Sequence, residues 1–129
     1  MSAIMSTYGR LPVTFASGVG AYLTDQKGEQ YLDALSGIAV TNLGHSHWSV
    51  TRAITEQAES LLHTSNLYGI AQQERLATEL NQLTGMERIF FCNSGAEANE
   101  TAIKMARRHG HNKNIANPQI VVLEGAFHG

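Results

Sequence analysis

The chain has 129 residues, a length that fits one domain, and 43% of them are hydrophobic, enough to begin a core. A net charge of −2, with no cluster of Lys or Arg, supplies no basic field for nucleic acid. No run approaches the roughly 18 consecutive apolar residues of a membrane helix, and no basic segment precedes an apolar one in residues 1–10, so a cytoplasmic, reducing compartment is the default expectation.

Taken in chain order, residues 13 to 33 read as β structure, with strands at Val13–Phe15, Ala21–Leu23 and Gln30–Asp33. The last two flank Asp25-Gln-Lys-Gly28, where Asp first and Gly fourth are type I turn chemistry, so they form a hairpin. A loop covers Ser36 to His47. Val50, Ile54, Ala58 and Leu61 then recur at helical spacing, which predicts an amphipathic helix over 48–62. A second helix is predicted over 70–84, with Leu76, Leu80 and Leu83 in step and Gly85 as its stop. Ile89 to Cys92 reads as a buried strand that makes Cys92 a structural thiol. A helix over 96–109 follows, then the loop-like cluster His109 to Pro118 and a short apolar strand at Ile120–Leu123. This β-α-β alternation points to a parallel, doubly wound α/β sheet in the second half.

The chemistry concentrates where the Ile89–Cys92 strand meets its helix, in Asn93-Ser-Gly-Ala-Glu97. The first amides of a helix have no intrahelical partner and sit at the positive end of its dipole, so this turn is suited to an anion such as a phosphate. Gly95 and Ala96 leave room for one. Ser94 and Glu97 have the S-x-x-E spacing of a capping box, which by itself accounts for both. Glu97 and Glu100 also complement the helix dipole. By its residues alone the turn is an ordinary connector with anion-binding capacity. His45 with His47, and His109 with His111, have the spacing of metal pairs, but no third ligand stands at a supporting distance, so no metal is expected.

Five blocks carry a resemblance that covers the chain from end to end: Tyr8-Gly-Arg-Leu-Pro-Val-Thr-Phe15, Gly37-Ile-Ala-Val-Thr-Asn-Leu-Gly-His-Ser-His47, Ser65-Asn-Leu-Tyr68, Phe91-Cys-Asn-Ser-Gly-Ala-Glu-Ala-Asn-Glu-Thr101 and Phe127-His-Gly129. In this order they resemble the class III pyridoxal-phosphate aminotransferases. Tyr8-Gly-Arg-Leu-Pro and Gly37-Ile-Ala-Val favour the acetylornithine branch over the ornithine, succinylornithine and 4-aminobutyrate branches. The chain departs from the family at Trp48, where proline is usual after the Gly-His-x-His run.

The resemblance implies the N-terminal part of a fold type I enzyme. Residues 1–65 would be a small-domain segment, and 66–129 the start of the large cofactor domain. It further implies that the amides of Gly95 and Ala96, helped by the Ser94 hydroxyl, hold the phosphate of pyridoxal 5′-phosphate, and that Phe127 stacks on its ring. Gly37 and Ile38 would line the substrate pocket. Tyr68 would join them from Ser65–Tyr68, near the active site at a dimer interface, while His128 would shape the pocket wall. The family's cofactor-binding lysine, the aspartate that pairs with the pyridine nitrogen and the arginine after Phe-His-Gly lie beyond residue 129. The expectation is therefore an N-terminal fragment with no catalytic residue and no activity alone. Its parent would be a homodimer that moves the terminal amino group of N-acetylornithine to 2-oxoglutarate. An alternative is a non-catalytic subunit that pairs with a full-length homologue. With few strands to cover its apolar faces, the isolated chain is expected to be poorly soluble, molten or dimeric.

Overall fold

The computed structural model describes residues 3–129. The chain divides into two units, Met1–Ser65 and Asn66–Gly129.

The first unit is built on an antiparallel meander of β1 (Phe15–Val19), β2 (Tyr22–Asp25) and β3 (Gln30–Leu32). β1 pairs Val19 with Tyr22 and Gly18 with Leu23, and a bulge interrupts the register between Phe15 and Ser17. The first strand thus lies two residues later than Val13–Phe15. Ala16-Ser-Gly18 has little intrinsic strand preference, and pairing with β2 overrides it. The β2–β3 hairpin forms where the sequence predicts it. Gly28 takes φ +87°, which suits a residue without Cβ, and its amide donates to Asp25 O at 3.1 Å. Asp25 Oδ1 accepts the amides of Lys27 at 2.8 Å and Glu29 at 2.9 Å, so one side chain closes the turn.

Beyond β3 the chain makes the four-residue turn α1 (Ser36–Ala39), which winds left-handed. Ser36, Gly37, Ile38 and Ala39 have φ of 52°, 61°, 61° and 61°. For an L-residue with a Cβ this conformation costs about 1–2 kcal/mol, and only Gly37 avoids it. The chain then returns to the sheet through a bridge between Gly20 and His45, and α2 (Trp48–Ser60) follows.

The second unit contains α3 (Ala71–Thr84), ended by Gly85 at φ 71°, and the 18-residue α4 (Gly95–Asn112). α4 runs three residues past its predicted end. Asn114 at φ 61° terminates it, and the Ile115 amide reaches back to Gly110 O at 3.0 Å while that of Asn114 bonds His111 O at 2.9 Å. Gly110 stays inside the helix because Pro118 packs on it. A Cβ at 110 would stand 2.7 Å from the Pro118 ring.

Ile89–Cys92 and Ile120–Leu123 are not strands; both run without a ladder partner. A strand exists only when paired, and the described residues contain no third segment to seed a parallel sheet between them. Cys92 is consequently exposed, not a buried thiol, with Sγ donating to Ser94 O at 3.5 Å. Among the described residues no hydrophobic side chain is buried, and no helix is long and apolar enough to cross a membrane.

Candidate functional site

Ser94 has the extended backbone of an N-cap, and its Oγ accepts the Glu97 amide at 3.2 Å. Glu97 completes the box one residue early. Its Oε2 accepts the amide of Asn93 at 2.6 Å, so the carboxylate clamps the residue before the cap. The amides of Gly95 and Ala96, the first two of α4, therefore keep their outward direction. That of Ala96 demonstrates its reach by donating to Gly129 O at 3.1 Å.

Three contacts bring the Phe127-His-Gly129 turn onto this helix start. Besides the Ala96 bond, Asn99 Nδ2 donates to His128 O at 2.8 Å, and His128 Nε2 lies 3.2 Å from Glu100 Oε1. Gly129 (φ +87°) rests on the Gly95–Ala96 backbone so closely that any Cβ would overlap it. Phe127 is 93% exposed beside this junction. Ser94, Gly95 and Ala96 thus meet the turn that carries Phe127, through Gly129 and His128. Nothing in the sequence marks Asn99 for this role, and the position of Glu100 in the first turns of the helix suggests only a dipole partner. Their bonds span 28 and 29 residues, and no local pattern announces such pairs. A cleft of about 520 Å³ runs along the same helix face, lined in part by Phe91, Ala96, Glu97 and Glu100. Tyr68 is exposed in the same unit and lines a cleft of about 480 Å³ with Gln73, Asn81 and Arg88.

The donor set fits a phosphate. A helix start that is free of side-chain bulk, with outward amides one of which already holds an oxygen acceptor, is what a phosphate oxygen requires. A phosphate oxygen and the Gly129 carbonyl are alternative partners for the Ala96 amide.

In the first unit Gly37 and Ile38 occupy the left-handed turn, with Ile38 80% exposed. Asp33 anchors the turn: Oδ1 accepts the amides of Leu35 at 3.0 Å and Ser36 at 2.9 Å, and Oδ2 meets His45 Nε2 at 2.6 Å. A carboxylate can only accept, so the His45 ring donates from Nε2. These bonds, that of His45 first and the Ser36 amide next, hold the Asp33 carboxyl below its ordinary 3.8 against the opposing effect of burial. Tyr31 is raised from 10.0 by desolvation, then by the charges of Glu29 and Asp25. His45 thus belongs to Asp33, and His47, the residue before α2, makes no side-chain cap; its Nδ1 lies 2.9 Å from Ser49 Oγ and its ring stacks on Trp48. His109 and His111 lie in the last turn of α4, where they suit the dipole. Among the described residues no three His, Cys, Asp or Glu groups converge on a metal site.

The model of the class III aminotransferase family matches residues 4–129. The chain belongs to that family. Acetylornithine aminotransferase of Nitrosomonas europaea is 58% identical over 129 residues, which is all of this chain and 33% of that protein. Among solved structures, N-acetylornithine aminotransferase from Stenotrophomonas maltophilia is 41% identical with a TM-score of 0.85, over 96% of this chain and 35% of that one. An amine transaminase from an uncultivated Pseudomonas species, described as PLP-bound, is 30% identical with a TM-score of 0.81, over 100% of this chain and 31% of that one. The chain spans about a third of the length of the curated relatives it matches. Its fold is that of the N-terminal segment of class III aminotransferases.

Proposed function

We propose that this chain is the N-terminal, phosphate-holding portion of a pyridoxal-phosphate aminotransferase that moves the terminal amino group of N-acetylornithine to 2-oxoglutarate. The observation that carries the reading is the junction at the start of α4. The first two amides of α4, those of Gly95 and Ala96, meet the Phe127-His-Gly129 turn there, Ala96 donating to Gly129 O, in a class III chain 58% identical to an acetylornithine aminotransferase.

In this reading the amides of Gly95 and Ala96 hold the cofactor phosphate, with the Ser94 hydroxyl beside them, and the helix dipole favours its charge. Phe127, already exposed at the junction, supplies an apolar face for the pyridine ring. Gly37, Ile38 and Tyr68 line the substrate side. When bound, the cofactor supplies an electron sink that makes loss of a carbon-bound proton feasible. No residue of this chain is assigned the proton transfer, so the 129-residue chain alone is inactive and the complete enzyme works as a homodimer.

The test is to purify the full-length gene product and assay N-acetylornithine, ornithine, succinylornithine and 4-aminobutyrate as donors to 2-oxoglutarate. Preferred turnover of N-acetylornithine supports the reading, and preference for another donor moves the protein to that branch. Turnover by the 129-residue chain alone would overturn its assignment as a cofactor cradle without a catalyst.

A further inference from the structure

The left-handed turn Ser36–Ala39 is the most strained backbone of the first unit, and its own side chains do not account for it. Ile38 is β-branched, a residue type for which positive φ is a true outlier, yet it lies 80% exposed and gains no packing in return. Such strain persists where the surroundings over-determine it, and it clusters at ligand-binding sites. Here the surroundings form a short chain of contacts that starts from the sheet.

His45 is fixed first. Its backbone exchanges two hydrogen bonds with Gly20, at 2.8 and 3.0 Å, and its ring occupies the space a side chain at Gly18 would need, 2.7 Å from an ideal Cβ there. The ring in turn fixes Asp33, whose side chain is only 8% exposed. With Oδ2 engaged by His45, Oδ1 is left to take the amides of Leu35 and Ser36, the two residues that enter the turn. A local Asp turn would need neither the burial nor the histidine.

We propose that Asp33 and His45 are positioning residues. By holding each other against the β1–β2 hairpin they lock Ser36–Ala39 left-handed, which presents Ile38 toward the amino donor. The inference deepens the functional reading and rests on its assignment of Ile38 to the substrate side.

The experiment uses the full-length protein with Asp33→Ala, Asp33→Asn, His45→Gln and Ile38→Ala, reading donor KM, kcat and the affinity for pyridoxal 5′-phosphate. Asp33→Ala is expected to raise the N-acetylornithine KM by about tenfold or more while cofactor affinity stays within about twofold of wild type. Asp33→Asn, which keeps an oxygen for the two amides, and His45→Gln, which keeps a donor, recover most of the loss. Combining Ile38→Ala with Asp33→Ala adds little, because a side chain already misdirected has no contact left to lose. An unchanged donor KM in Asp33→Ala, or a parallel loss of cofactor affinity, overturns the proposal. Should Asp33→Ala fail to fold, the Ile38 methyl NMR shift decides: it must stay at the wild-type position in Asp33→Asn and move in His45→Ala. Absence of any transaminase turnover by wild type sinks the functional reading instead, while the methyl shifts still report whether the pair holds the turn.

Discussion

Asp33 illustrates how much a single carboxylate can organise. Its two oxygens take two amides and a histidine ring, and the sum of those bonds holds its pKa below 3.8. A depressed folded-state pKa means that the stabilisation is present above the unfolded value and is lost as pH falls through the folded one. The stability advantage of wild type over Asp33→Asn in the full-length protein should therefore shrink as pH falls from about 5 to about 3. Thermal melts across that range check it, and a constant difference would remove the charge from the explanation. Nothing in Leu32-Asp-Ala34 marks this residue in the sequence. Its histidine partner stands 12 positions away across a loop, and only the folded return of the chain to Gly20 joins them. The glycine at 37 was legible as part of a motif, whereas the left-handed path of Ile38 and Ala39 was not, since their residue types argue against it.

At the scale of the element, α4 shows what local rules can and cannot foretell. Its start was written in Ser94, Gly95 and Glu97, because capping is an interaction between neighbours. Replacing Ser94 with Ala is expected to destabilise the full-length protein by about 1 kcal/mol. Ser94→Asp restores the cap but sets a negative charge beside the amides proposed to hold phosphate. That variant should recover thermal stability and still bind pyridoxal 5′-phosphate about tenfold more weakly than wild type. Full recovery of both would reduce Ser94 to a cap with no anion nearby. The end of α4 is less legible, because the polar cluster that begins at His109 reads as a loop while the helix runs on to Asn112. Gly110 instead lies inside the helix to admit Pro118, a contact that sequence order does not reveal. Ile89–Cys92 and Ile120–Leu123 fail as strands for a related reason: apolar runs specify a willingness to pair, and pairing needs a partner.

For the whole molecule the decisive quantity is exposure. The chain presents 11904 Å² of accessible surface at a mass of 14.0 kDa. A compact monomer of that size exposes about 6,700 Å², and even two separate compact units of half the mass would expose about 8,100 Å². Val121, Leu123, Leu62 and Phe127 are each more than 80% exposed, and no hydrophobic side chain among the described residues is buried. Contiguous apolar surface of this size marks a face made for a partner, and the chain spans about a third of the length of the curated relatives it matches. The 129-residue chain in isolation is expected to bind an apolar dye such as ANS and to self-associate, as seen by sedimentation. Sharp, dispersed amide resonances from a monomer would contradict this.

By itself the sequence determined the positions of α2 and α3, the β2–β3 hairpin, the start of α4 and the family. Each of these rests on periodicity, capping or turn chemistry among residues close in the chain, or on wording shared with relatives. Tertiary structure alone decided the left-handed turn at Ser36–Ala39, the union of Asp33 with His45, and the docking of Phe127-His-Gly129 on Asn99 and Glu100. It also decided that two apolar segments stay unpaired. All of these depend on groups far apart in sequence, whose meeting is set by how the folded chain returns on itself and by which partners are there to receive it.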